Sequence, residues 1–289
     1  MERQHTHSTI AALETAPVFT HEDRKRYTLF FVIVFYVLAV YKFINGMWLF
    51  QNTPFAFRPY FDGSLWMFLQ TGIHQWLLYN SPAALGMDLL FYLLPGIYFF
   101  VFIRSVKAAA VVAGLMLLIN LVYVWCYTVF PTNSPEGHTA WLFTPVLFMS
   151  IGLTGFYLWM HALRYFFLFF FFSAALWKFY QGGVFEPMQM SGILLEQHKD
   201  LLVTDAQGWY ASFIYWLVQN PVAGRLLYLA ATGIELVFIV GFFTRKYDRL
   251  LLVLFCVFLV MDVLVMKIPY YEVLGLTLPL LFSKKADPF

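Results

Sequence analysis

Between Arg164 and Lys178 the chain reads YFFLFFFFSAALW, an apolar and aromatic run without a charge, and the lysine that ends it stands just before a Gln-Gly-Gly break. A predominantly apolar stretch that approaches about 20 residues is long enough to cross a bilayer. An ionised group in such a stretch is costly unless it is paired or reaches water, so Lys178 is singled out at once. The same pattern is written earlier. RYTLFFVIVFYVLAVYKFING, from Arg26, carries Lys42 in YKF and then Gly46, where the later copy has WKF and Gly182. One constant separation links the two lysines and the two glycines, which points to an internal repeat.

Composition agrees with a polytopic membrane protein. The chain of 289 residues is 61% hydrophobic, 21% aromatic and 12% charged, far from the roughly half-apolar, quarter-charged mix of a soluble domain. A net charge of +2, with basic residues dispersed in short groups, is too small to argue for nucleic-acid binding, and none is expected. Cys126 and Cys256 each sit in an apolar run without a CxxC partner, as inert thiols do. The polar stretch 1–23 has no signal-peptide core and is expected to be a cytoplasmic tail. Eight apolar segments follow, at about 27–50, 82–103, 108–130, 139–160, 165–181, 221–243, 250–267 and 270–283. Pro145 and Pro279 fall at matching places in the fourth and eighth, which predicts kinked or partly spanning helices there.

Lysine and arginine alternate between the segment ends. Arg3, Arg24, Lys25, Arg26, Arg104, Lys107, Arg164, Arg245, Lys246, Arg249, Lys284 and Lys285 fall on one side, against Arg58, Lys199, Arg225 and Lys267 on the other. The richer side is cytoplasmic by the positive-inside rule. The expected fold is an all-α integral membrane protein of about eight transmembrane helices in two parallel four-helix repeats, with both termini cytoplasmic. Its parts are the tail 1–23, a first repeat 24–160 and a second repeat 161–289. The longest connections, about 51–81 and 182–220, are rich in Trp and Tyr, and both close on Asn-Pro or Asn-Ser-Pro before the next span. They read as interfacial helices forming an extracytoplasmic lid.

At about 1.5 Å per residue, Lys178 lies about 21 Å above Arg164, and Lys42 about 24 Å above Arg26. Both therefore belong to the outer third of a core about 30 Å thick. A lysine there can snorkel. Small neighbours at helical spacing, Ala174, Ala175 and Gly182 around Lys178, and Ala39 and Gly46 around Lys42, mark packed faces instead. Acids of suitable depth are Asp88 for Lys42, and Asp262 or Glu235 for Lys178, and pairing would relieve the cost of burial. His74, His138, His161 and His198 show no metal-ligand spacing, so no metal is expected.

The second half, Arg164 to about Phe282, resembles the HTTM domain, the membrane portion shared with vitamin K-dependent gamma-carboxylases. The residues that carry the likeness are FFSAALWKFYQGG, then LLEQH, the GIELVFIVGFF helix with its RKYDR turn, and the final helix pair. In the carboxylases the corresponding lysine is the base that deprotonates the reduced vitamin, so the resemblance puts Lys178 in a catalytic position. Gly183 stands near the place of a family Trp, and Asp262 near that of a family His. The four-helix repeat is also similar to DoxX-like membrane proteins, which accompany quinone or thiol redox systems. These likenesses imply a bacterial inner-membrane protein with an outer-leaflet pocket for a quinone-like molecule or lipid, formed around Lys178, Lys42, Asp88, Glu235, Asp262 and Trp177. The alternative is a non-catalytic membrane subunit that scaffolds a periplasmic or redox protein partner, with its lysines merely paired.

Overall fold

The first helix starts where Thr20 can cap it. The Thr20 hydroxyl accepts the Asp23 N–H at 3.2 Å while the Asp23 carboxylate accepts the Thr20 N–H at 2.9 Å, a reciprocal capping box that satisfies donors a helix start leaves open. From there the computed structural model, which describes residues 18–51, 63–129, 139–268, 271–283 and 285, is helical with no strand among the described residues. The tail up to residue 17, Arg58, His138 and Lys284 lie outside them. The helices are α1 (His21–Ile44), α2 (Gly63–Gln70), α3 (Ile73–Tyr79), α4 (Ser81–Arg104), α5 (Val106–Val129), α6 (Thr139–Phe148), α7 (Leu153–Tyr180), α8 (Gln189–Thr204), α9 (Trp209–Gln219), α10 (Pro221–Val237), α11 (Val240–Phe243), α12 (Asp248–Met266) and α13 (Leu274–Phe282).

Among the described residues, six stretches are long and apolar enough to cross a membrane: His21–Gln51, Ser81–Arg104, Val106–Cys126, Leu153–Tyr180, Pro221–Phe243 and Asp248–Met266. The architecture is that of a multi-pass membrane protein in a lipid bilayer. Their outer faces carry the large apolar side chains that lipid requires, among them Val37, Leu93, Val111, Phe169 and Val260, all about half exposed or more. The helices α4 and α10 begin alike, with a proline at the first turn after Asn80 and Asn220, where a missing N–H costs nothing.

The segment expected at 139–160 is divided. It stops after α6, turns through Ser150 and Gly152, and its remainder joins the next segment as the 28-residue α7. The Ser150 and Ile151 carbonyls freed by this turn are taken by the fully buried Arg24 guanidinium, at 2.6 and 3.1 Å. Phe102 and Phe156 lie over that guanidinium, 5.1 and 4.6 Å from their ring centroids, a cation–π arrangement that replaces part of its lost hydration.

The chain forms two compact units, one gathering the chain up to Leu163 with its end from residue 270, the other running from Arg164 to residue 269. In the first unit, α13 packs on α1 and α6. A Cβ on Gly275 would come within 3.3 Å of the Ala140 Cβ, so glycine is what lets these two short proline-containing helices close on each other. Phe31, Phe35, Trp141 and Phe148 form the aromatic core beside them, with Phe35 and Trp141 edge-on at 4.6 Å. In the second unit the phenylalanine run of α7 sorts by face. Phe167 and Phe171 are buried edge-on against Phe255 at 5.0 Å each, whereas Phe169 is exposed.

Within the second unit Arg164 is also fully buried. It holds Asp248 through two bonds, at 2.8 and 2.6 Å, and the Gly241 carbonyl at 2.8 Å. That carbonyl is reachable because residue 241 has no side chain: a Cβ there would stand 2.6 Å from Leu168. The helices α8 and α9 are held to this unit by an apolar cluster including Met190, Leu194, Ile214, Leu217 and Val265.

Candidate functional site

The likeness of YKF and WKF is expressed as two similar helix ends. α1 terminates through Gly46 at φ +67° and α7 through Gly182 at φ +77°, the left-handed geometry that glycine adopts without penalty. Each puts its lysine four residues before the turn. What surrounds the lysines then differs.

Lys42 is buried and forms an ion pair with Glu272, from the turn that leads into α13. Glu272 takes the place expected for Asp88, which has a different task. Asp88 is fully buried and accepts the N–H groups of Leu49 and Phe50 at 3.1 and 3.0 Å, and the Tyr123 hydroxyl at 2.8 Å. A carboxylate so saturated pins the 3₁₀ turn Leu49–Gln51 onto α4. Trp48 completes the closure, stacked on Tyr92 at 4.2 Å with its indole N–H on the Ala39 carbonyl. Depth alone could have flagged Glu272, which precedes Lys284 and Lys285 by about 12 residues and so stands about 18 Å from the basic end of its segment.

Lys178 pairs with Glu235, one of the two acids at suitable depth. Its ammonium donates to both carboxylate oxygens at 2.8 Å, and the Tyr228 ring centroid lies 5.4 Å away. Glu235 is buried, while the Lys178 side chain keeps 24% of its exposure. Its remaining face borders a cavity of about 250 Å³. Tyr228, Ala231 and Glu235 follow one another at the three- and four-residue spacing of a single helix face, which is how α10 presents its small and polar residues together. Leu227, Ala230, Ala231 and Ile234 of α10, and Phe258, Met261 and Val265 of α12, make the walls; Met190 and Ile193 of α8 make the roof. Asp262 is the other charged residue on the lining. A mostly apolar cavity with a few convergent polar groups is the usual form of a small-molecule site.

Trp177, expected at the pocket, is outside this lining. It is exposed and stacks on Tyr180 at 5.4 Å, because a residue adjacent to Lys178 points about 100° away around the helix. Gly183, by contrast, is close to the site: a Cβ there would stand 2.8 Å from the Tyr228 hydroxyl. The roof is fastened by His198, whose Nε2 donates to the Val265 carbonyl at 2.7 Å, and by Tyr210, whose hydroxyl donates to the Leu264 carbonyl at 2.9 Å. Both bonds reach the last turn of α12, where carbonyls lack helical partners. His74, on α3, is buried against Phe68, and that burial holds its imidazole below the ordinary histidine range. Among the described residues no three His, Cys, Asp or Glu side chains gather as a metal site. Comparison with known proteins finds no family model, curated protein or solved structure that matches this chain.

Proposed function

We propose that this protein binds a lipophilic molecule with a polar head, quinone-like or lipid, in the cavity beside Lys178, as its resemblance to the HTTM domain implies. The observation that carries the reading is the position of Lys178: held by Glu235 and partly exposed, it lines a mostly apolar cavity of about 250 Å³ that Asp262 also lines, at the end of a membrane-length helix. Tails suit the Ala, Leu, Ile and Met walls, and a head group suits the charged end. The cavity serves a ligand in the outer leaflet of a bacterial inner membrane, in a chain of eight spans arranged as two parallel four-helix repeats with cytoplasmic termini. The lysine and arginine asymmetry and the shared helix ends at Gly46 and Gly182 support that arrangement.

The bidentate grip of Glu235 bears on Lys178 as a base. An ammonium held by a carboxylate at 2.8 Å is a donor and an anchor, and having no lone pair it would have to give up a proton before it could accept one from a substrate. This geometry favours the alternative in which the second unit is a non-catalytic binding subunit that presents its ligand to a redox or periplasmic protein. Native mass spectrometry of the purified chain tests the binding reading. A lipophile should remain on the wild-type protein and be lost from Ala231→Trp, whose indole fills the cavity. Equal retention by both proteins would refute it.

A further inference from the structure

Among the described residues that line the cavity, Lys178 is the only amine. An ammonium carries three N–H donors, and the hydrogen-bond acceptors that Lys178 meets are the two oxygens of one carboxylate, Glu235, at 2.8 Å each. Glu235 is buried and is not on the lining. The carboxylate therefore holds the nitrogen from outside the cavity, while the lysine itself borders a mostly apolar space walled by α10 and α12. A second lysine–glutamate pair in the same unit gives a comparison. Lys199 meets Glu196 at 3.0 Å with both side chains well exposed, at 60% and 75%, and Lys199 is off this lining. The two amines have the same kind of partner and differ in what lies on their other side.

We infer that Lys178 is a covalent attachment site for a lipophilic aldehyde, held as an imine with Glu235 as its counter-ion. The inference rests on the binding reading above and makes the polar head of the ligand an aldehyde. In balance, Lys178–NH3+ and R–CHO give Lys178–NH+=CH–R and water, with no oxidant or reductant required. The ammonium passes one proton to Glu235, which already accepts its hydrogen bonds. The freed lone pair attacks the aldehyde carbon, and the carbonyl π pair moves to oxygen, which takes a proton from the nitrogen. Glu235 then gives its proton to that hydroxyl, the C–O bond breaks, and water leaves as the C=N bond forms. The product keeps one N–H and the positive charge opposite Glu235, so neither member of the pair is left as an uncompensated buried charge. Apolar walls guard the imine against hydrolysis, and Leu227, Ala231, Ile234 and Met261 receive the chain.

The test treats the full chain in phosphatidylcholine nanodiscs with dodecanal and sodium cyanoborohydride, which reduces an iminium to a stable secondary amine, and maps the adducts by peptide mass spectrometry. The expected result is capture of Lys178 at least about ten-fold faster than capture of Lys199. Ala231→Trp, whose indole fills the cavity, should abolish capture at Lys178 and leave Lys199 unchanged. In parallel, a diazirine-bearing dodecanol, which forms no imine, reports on binding alone. It should label the α10 and α12 cavity residues in the wild type and in Lys178→Arg, whose guanidinium keeps the charge opposite Glu235. Capture of Lys178 no faster than Lys199, or capture that survives Ala231→Trp, overturns the covalent inference, while dodecanol labelling of the cavity leaves the binding reading standing. If the dodecanol marks the cavity no more than the lipid face of α5, both fall.

Discussion

Lys42 and Lys178 occupy similar helix ends and differ in what each side chain meets. For Lys42 the ammonium and the Glu272 carboxylate are both nearly dry, at 7% and 4% side-chain exposure. Removing one member of such a pair strands the other charge and costs about 3 to 5 kcal/mol, while replacing both with apolar groups of similar size is often close to neutral. Lys42→Met should therefore lower the melting temperature in detergent, and Lys42→Met with Glu272→Met should restore most of it. A silent Lys42→Met would mean the lysine snorkels. Which acid serves Lys42 was hard to read from the chain alone. Asp88 has the right depth, but a carboxylate can be consumed by backbone amides, and those of Leu49 and Phe50 belong to a turn that no hydrophobic pattern announces. For Lys178 the chain offered Asp262 or Glu235, and depth put Asp262 level with the lysine; the pair with Glu235 shows that the length of the two side chains spans the difference.

At the scale of elements, α8 closes the cavity through bonds to the end of α12. His198→Ala removes a buried hydrogen bond and leaves the Val265 carbonyl without that donor, a loss of about 1 to 3 kcal/mol. Hydrogen exchange should then speed through Gln189–Thr204 by about ten-fold or more, with α10 unchanged. Unchanged exchange in α8 would show that its apolar contacts alone hold the roof. The six long apolar helices were legible because uncharged length is a direct statement about the bilayer. The turn at Ser150 was not, since MSIGL is as apolar as the residues around it and its physical cause, the carbonyl-seeking Arg24, lies far away in the chain.

At the scale of the molecule, the distribution of basic residues predicts the side of the membrane that each connection faces. In a background without Cys126 and Cys256, single cysteines at Gln207 and at Asn133, the latter outside the described residues, should react with a membrane-impermeant thiol reagent in intact cells, and one at Ser105 should not. Labelling of Ser105 would reverse the assigned orientation. The repeat is proposed from the sequence of the two lysine helices alone, whereas packing groups α13 with the first half of the chain through α1 and α6. Sequence correspondence and packing partnership are separate properties, and only the first is visible in a linear chain.

The central claim is that the second unit holds a lipophile against Lys178. The most direct measurement is electron cryomicroscopy of the protein in native-lipid nanodiscs with a bound antibody fragment. The account predicts elongated density between α10 and α12 beneath Met190 and Ile193, its head within hydrogen-bonding distance of Lys178 or Asp262, and no such density at Lys42. A second unit in which α10 and α12 close on each other and leave no room beside Lys178 would contradict it.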